Sequence, residues 1–117
     1  MQTFPSALRA IGTYTREFTR PKDARGLVFS INFTAKGAGA STLNFKLQYR
    51  DGDAWKDITG ASIVALSGVG DIDLMIHPDV AAVANRIVKL PVFEALRAVA
   101  VVAVDTVTFS VSMDTLP

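Results

Sequence analysis

The feature that most constrains this chain is a two-residue alternation of apolar and polar side chains. In Leu27-Val28-Phe29-Ser30-Ile31-Asn32-Phe33-Thr34 every odd position is large and apolar, and the even positions are mostly polar. Leu43-Asn44-Phe45-Lys46-Leu47-Gln48-Tyr49-Arg50 follows the same rule throughout. Ile72, Leu74 and Ile76 alternate with Asp71, Asp73 and Met75, and Val107-Thr108-Phe109-Ser110-Val111-Ser112-Met113 repeats the pattern. Successive side chains of a pleated strand point to opposite faces, so each segment has one buried and one wet face. A helix would mix Lys46 and Gln48 with their apolar neighbours. The alternation therefore predicts strands.

Less regular segments complete the set. Ala10 to Phe18, rich in Thr and aromatics, reads as an edge strand; Trp55 to Ile58 and Ser62 to Leu66 read as short strands. Ile87 to Leu90 stops at Pro91, which cannot donate to a ladder. Leu96 to Val104 is apolar on both faces, as in a central strand or one covered by a partner. Asp51-Gly52 supplies the positive φ of a hairpin turn, and Asp105-Thr106 reads as a second hairpin. Residues 35–41, small and glycine-rich, predict a mobile loop tip. Pro78 to Ala84 is the one place for a short helix, with proline in its first turn. The expected fold is all-β: an antiparallel sandwich of seven to nine short strands, jelly-roll or Greek-key like. Residues 1–10 are expected as an extended arm, and residues 11–117 as a single sandwich domain.

Composition narrows function mainly by exclusion. The 117 residues are half apolar and one-fifth charged, which fits a folded domain with a real core. There is no cysteine, so packing and sheet hydrogen bonds must supply the stability. Twelve basic residues against eleven acidic ones give no strong positive field for nucleic acid. No apolar run approaches the roughly 20 residues of a membrane-spanning helix, and Met1-Gln2-Thr3-Phe4-Pro5 lacks the start of a signal peptide. A soluble protein made in the cytoplasm is expected, with neither a nucleic-acid nor a membrane partner.

Chemistry-bearing residues are few. His77, the single histidine, stands at a strand end and reads as structural. Asp51, Asp53 and Asp57 surround the hairpin turn, but Ser62 stands where a calcium loop needs its bidentate Glu. Asp71 and Asp73 share a strand face and read as a solvated surface rather than an acid–base pair. Arg16, Arg20, Lys22 and Arg25 are interleaved with Glu17 and Asp23, as in a mixed-charge loop. Trp55 reads as a core plug, or alternatively as a stacking platform. No catalytic residue, metal site or cofactor is expected.

The segment Phe45-Lys46-Leu47-Gln48-Tyr49-Arg50-Asp51-Gly52-Asp53-Ala54-Trp55-Lys56-Asp57-Ile58 is an amphipathic strand ending in Gln-Tyr-Arg, an acidic turn, then Trp and Ile. Near the end, a strand with central Arg97 leads to Val107-Thr108-Phe109-Ser110-Val111-Ser112. From about Leu27 onward the chain resembles small β-rich virion proteins of tailed bacteriophages, of the capsid decoration (cement) type. The resemblance implies a structural subunit on the capsid surface, binding the major capsid protein, commonly as a homotrimer, with no active site and no cofactor.

The residues give their own reasons for assembly. Phe4, Leu8 and Ile11 are scattered along the expected arm, where each large side chain buried on a neighbour would contribute about 1.5–3 kcal/mol. Leu96, Val99 and Val101 lie on the doubly apolar strand, whose second face would be an aggregation hazard if left open. These six residues are the expected oligomer or capsid interface. Other expectations are a carbohydrate- or receptor-binding module using Trp55, Tyr49, Tyr14 and the acidic turn, a tail or fibre subunit, and a small hydrolase built on Asp71, Asp73 or His77.

Overall fold

A computed structural model describes residues 2–37 and 39–117; of Gln2 it describes the backbone alone. Among the described residues there are nine strands and no helix. They are β1 (Gln2–Arg9), β2 (Gly12–Thr19), β3 (Gly26–Lys36), β4 (Thr42–Asp51), β5 (Ala54–Leu66), β6 (Gly70–Ile76), β7 (Ile87–Val88), β8 (Ala95–Ala103) and β9 (Val107–Leu116). One sheet has the order β1-β9-β3-β6-β7 and the other β2-β8-β4-β5. All pairings are antiparallel except the two-residue β6–β7 ladder.

With the short β7 set aside, the first long strand pairs with the last, the second with the seventh, the third with the sixth, and the fourth with the fifth. That nesting is a long folded hairpin wrapped into two sheets: a jelly roll. Alternation had left the order open, because each strand needs only some apolar surface beneath it. The nesting also corrects the expected hairpin at Asp105-Thr106. β8 and β9 belong to different sheets, so residues 104–106 arch across the sandwich.

The alternating segments bury the expected faces. Leu27, Phe29, Ile31 and Phe33 of β3 face Leu43, Phe45 and Leu47 of β4 across the core, joined by Phe109 and Val111 of β9. Phe29 bridges the sheets, its ring 6.1 Å from Phe45 and 5.7 Å from Phe18 of β2. The Asp51-Gly52 turn forms as expected: Asp51 pairs with Ala54, and Gly52 at the first central position has φ 62°. The two short strands expected at 55–58 and 62–66 are one bulged strand. In β5, register shifts near Gly60 (φ 83°) and Ala65 (φ 53°) insert unpaired residues opposite β4.

Two further expectations are corrected. The arm at residues 1–10 is, over residues 2–9, the edge strand β1 of the domain's own sheet, paired with β9; Met1 lies outside the described residues. Its irregular pattern reflects two register shifts and Pro5 rather than a lack of partners. Phe4 draws it in, packing edge-on to Phe109 at 5.9 Å. Pro78 to Ala84 forms turns and no helix. Seven residues nucleate a helix poorly, and the backbone bonds of this stretch go elsewhere. Asp79 N–H donates to His77 Nδ1 at 3.0 Å, while Arg86 and Ile87 donate to Val83 O in a turn that delivers β7. Within the glycine-rich loop, Ala35 and Lys36 belong to β3, Gly37 N–H donates to Thr106 O at 2.9 Å, and Ala38 lies outside the described residues.

Candidate functional site

The jelly-roll order gathers the connections at two ends. Arg9 pairs with Val107, Gly12 with Val102, Lys36 with Val107, Thr42 with Ala103, Leu43 with Leu66, and Phe33 with Gly70. Residues 10–11, 37, 39–41, 67–69 and 104–106 therefore meet at one end of the sandwich. By sequence these stretches hold a single charged residue, Asp105; the rest are Ala, Gly, Ser, Thr, Val and Ile. The other end is the reverse, with Arg20, Lys22, Asp23 and Arg25 in residues 20–25 alone.

Large apolar side chains stand exposed at the first of these ends: Ile11 (62 % exposed), Val69 (65 %) and Val104 (60 %), with Leu8 (68 %) just behind on β1. Val104 has φ 76°, a left-handed backbone that a β-branched residue adopts at a cost of about 1–2 kcal/mol. The neighbouring arch is held tightly. Asp105 Oδ1 accepts from Thr106 N–H at 2.7 Å, Lys36 Nζ donates to Ser67 O at 2.6 Å, and a Cβ on Gly37 would collide with the Thr106 hydroxyl. Arg9 closes the β1 corner. Its guanidinium lies 4.4 Å from the Phe109 ring centre and donates to Pro5 O at 2.6 Å, and partial burial lowers its pKa from the ordinary value.

Of the six residues expected at an interface, the structure turns two into the core, sets two on the outer face of β8 and leaves two exposed. Phe4 and Leu96 point into the domain's own core, at 6 % and 0 % exposure, and have no face to offer a partner. Val99 is buried and Val101 half-buried, and with Val64 they line a concavity of about 220 Å³ on the outer face of the four-stranded sheet. β8 turns Leu96, Ala98, Ala100 and Val102 into the core and Val99 and Val101 to the outer face of the sheet. Leu8 and Ile11 remain exposed. The alternation pattern gave no sign of Val69 and Val104; only the meeting of the four connections groups them with Ile11.

The polar candidates sit elsewhere and apart. On the outer face of the four-stranded sheet, the Arg97 guanidinium lies 4.8 Å from the Trp55 ring centre and donates to Gln48 Oε1 at 2.9 Å. Gln48 Nε2 donates to Asp57 Oδ1 at 2.7 Å, and Lys46 pairs with the same carboxylate at 3.1 Å. The Gln48 amide first, and Lys46 second, hold the Asp57 carboxyl below its ordinary pKa. Trp55 is half-buried, neither a core plug nor a free platform, and borders a concavity of about 270 Å³ that Glu17 and Arg50 also line. Tyr14 and Tyr49 do not join it. The Tyr14 hydroxyl donates to Ala10 O, and Tyr49 stacks on Phe93 at 4.5 Å.

Around the acidic turn, Asp51 pairs with Lys56 at 2.6 Å and Asp53 lies 4.0 Å from Arg50. Asp71 and His77 bracket β6, roughly 20 Å apart at strand rise, so these residues do not converge on one reacting atom. The His77 ring is engaged on both nitrogens. Nδ1 accepts from Asp79 N–H, which leaves Nε2–H to donate to Pro117 O at 3.0 Å. Arg20 and Arg25 form ion pairs with Glu94 and Asp79.

No family model matches the chain, and no curated protein matches it.

Proposed function

We propose that the protein is a structural subunit of a tailed-bacteriophage particle, a decoration protein that binds the major capsid shell through the end of its jelly roll that carries Ile11, Val69 and Val104. The observation that carries this reading is the sorting of the two ends. The end with Ile11, Val69 and Val104 offers exposed apolar side chains, with the neighbouring Lys36 and Arg9 cations tied to main-chain carbonyls, while residues 20–25 at the other end carry four charged side chains. A surface of that kind gains from being covered. Being built from four connections of a rigid sandwich, it loses little conformational entropy when it docks. The resemblance of residues 27–117 to virion proteins supplies the partner class and the expectation of a homotrimer.

The test is addition of the purified protein to empty shells of the major capsid protein of its phage, followed by sedimentation and electron microscopy. Saturable binding at symmetry-related positions is expected. Ile11→Asp or Val104→Asp should weaken binding by about tenfold or more, the equivalent of 1.4 kcal/mol, with thermal stability retained. Binding that ignores both substitutions would reject the assigned end, and no binding to any shell would reject the function. Light scattering of the free protein reads the trimer directly.

A second reading has one observation in its favour: the half-exposed Trp55 beside a concavity carrying Arg50 and Glu17, a combination that suits a sugar ring. A glycan array with a signal abolished by Trp55→Ala would support a carbohydrate-binding module instead.

A further inference from the structure

β6 is an open edge for most of its length. β7 pairs with it at Met75 and Ile76 only, and among the described residues no strand pairs with the outer side of Gly70–Leu74. Met75 N–H donates to Arg86 O at 2.8 Å and His77 N–H to Val88 O at 3.0 Å. Backbone groups alternate sides along a strand, so the amides and carbonyls of Asp71 and Asp73 face the same way, along the unpaired stretch. Beside them runs the edge of β5. Between the two edges lies a groove of about 440 Å³ lined by Ile63, Val64, Leu66 and Ile72, with Asn85 and Arg86 at its β7 end. Val64 is 74 % exposed.

The outer face of the same stretch has a definite charge. The Asp71 and Asp73 side chains are exposed, and their cross-strand neighbours on β3 are Asn32 and Ser30. Neither carboxylate takes part in an ion pair among the described residues. Isologous pairing of two β6 edges centred on Ile72 would set Asp71 against Asp73 of a second copy, a like-charge juxtaposition that destabilises cross-strand pairs. The edge is thus built against its own kind and for a basic strand.

We infer that the β6 edge is a strand-addition site for an extended segment of a partner protein, with alternate apolar residues turned into the Ile63–Leu66–Ile72 groove and Lys or Arg turned out beside Asp71 and Asp73. Main-chain bonds to Asp71 and Asp73 supply the docking, and the alternate side chains supply the selection. β7 already occupies the first two positions of this ladder, in parallel. The groove reaches the 67–69 connection, whose Ser67 and Gly68 also line it; the inference rests on the edge and the groove, names only the chemistry of the segment, and does not require the shell-binding reading.

The experiment uses the ¹⁵N-labelled full chain with acetyl-Lys-Val-Lys-Val-Lys-Val-amide and its Glu-for-Lys analogue as probes, read by amide shifts and hydrogen exchange. With the Lys peptide, the Asp71 and Asp73 amides are expected to shift and to exchange about tenfold more slowly or better, with about a tenfold preference over the Glu peptide. The Asp71→Lys/Asp73→Lys variant should reverse the preference; Asp73→Asn, a milder change, should reduce it without threatening the fold. Unperturbed Asp71 and Asp73 amides at millimolar peptide, or equal response to both peptides, would overturn the inference. Protection that grows with protein concentration in the absence of peptide would also overturn it, by showing that a second copy fills the edge. Shell binding through Ile11 and Val104 would be unaffected by any of these results.

Discussion

At the scale of single residues, the side chains that carry consequence are those whose surroundings contradict their ordinary preferences. Val104 is the clearest case, a β-branched residue at φ 76° with its side chain in solvent. Val104→Gly is expected to raise stability by about 0.5–1 kcal/mol in thermal or urea unfolding, the relieved strain exceeding glycine's extra freedom in the unfolded chain. The same change should weaken shell binding, so that stability and binding move in opposite directions. Asp57 gives a pH dependence. Its folded pKa is depressed by Gln48 and Lys46, so its contribution is present above the unfolded carboxylate pKa and disappears as pH falls through the folded one. Asp57→Asn should therefore lower the Tm at pH 7, and the difference should vanish as the pH falls through the depressed folded pKa, below which the carboxyl is protonated in both the folded and the unfolded chain. The carboxylate is 62 % exposed, so solvent screening keeps the effect under about 1 kcal/mol, and added salt should reduce it further. Gly26 illustrates the opposite constraint. A Cβ there would strike the His77 ring and come within 2.8 Å of Ile76 O, which fixes glycine at the start of β3.

Among the elements, β1 is the one whose role differs most from its appearance. Its sequence lacks period two because the strand carries two register shifts along β9, and because Pro5 sits on a free edge where no N–H is needed. Deleting residues 1–9 separates the two pictures. A detachable arm would leave unfolding unchanged, whereas loss of β1 uncovers β9 and strips Phe4 from Phe109. A destabilisation of at least about 3 kcal/mol is expected, the usual cost of losing a buried aromatic side chain alone, read in urea titrations by circular dichroism. β5 carries a different lesson. Its bulges at Gly60 and Ala65 bend the strand and spoil its edge for pairing, while the straight, unbulged stretch of β6 opposite remains open.

For the whole molecule, the decisive property is that wrapping a long hairpin into two sheets sends alternate connections to opposite ends. Local sequence then acquires a global address. Residues 10–11, 37, 39–41, 67–69 and 104–106 are far apart in the chain, and each is an unremarkable small or apolar turn. Brought together, they make an end whose connections hold one charged residue by sequence, with Arg9 and Lys36 on the strands beside them, on a protein whose totals are close to neutral. The proposed shell contact is centred on an end and the proposed strand-addition edge on a flank, and the two adjoin at the 67–69 connection, whose Ser67 and Gly68 line the groove.

What the sequence by itself determined is the strand content, the core faces and the Gly52 turn. The alternation in residues 27–34, 43–50, 72–76 and 107–113 fixes which side chains are buried, since a one-residue slip would turn each apolar set to water. What only the tertiary structure decided is the order of those strands and everything that follows from it: the arch at residues 104–106, the burial of Phe4 and Leu96, the grouping of Ile11 with Val69 and Val104, and the gap beside β6. The physical reason is that side-chain period reports the two faces of a strand but not its two edges. A face is filled by hydrophobic burial, which is non-directional and readable residue by residue. Edges are matched by backbone hydrogen bonds that every residue but proline can make, so their partners are settled only when the whole chain is folded.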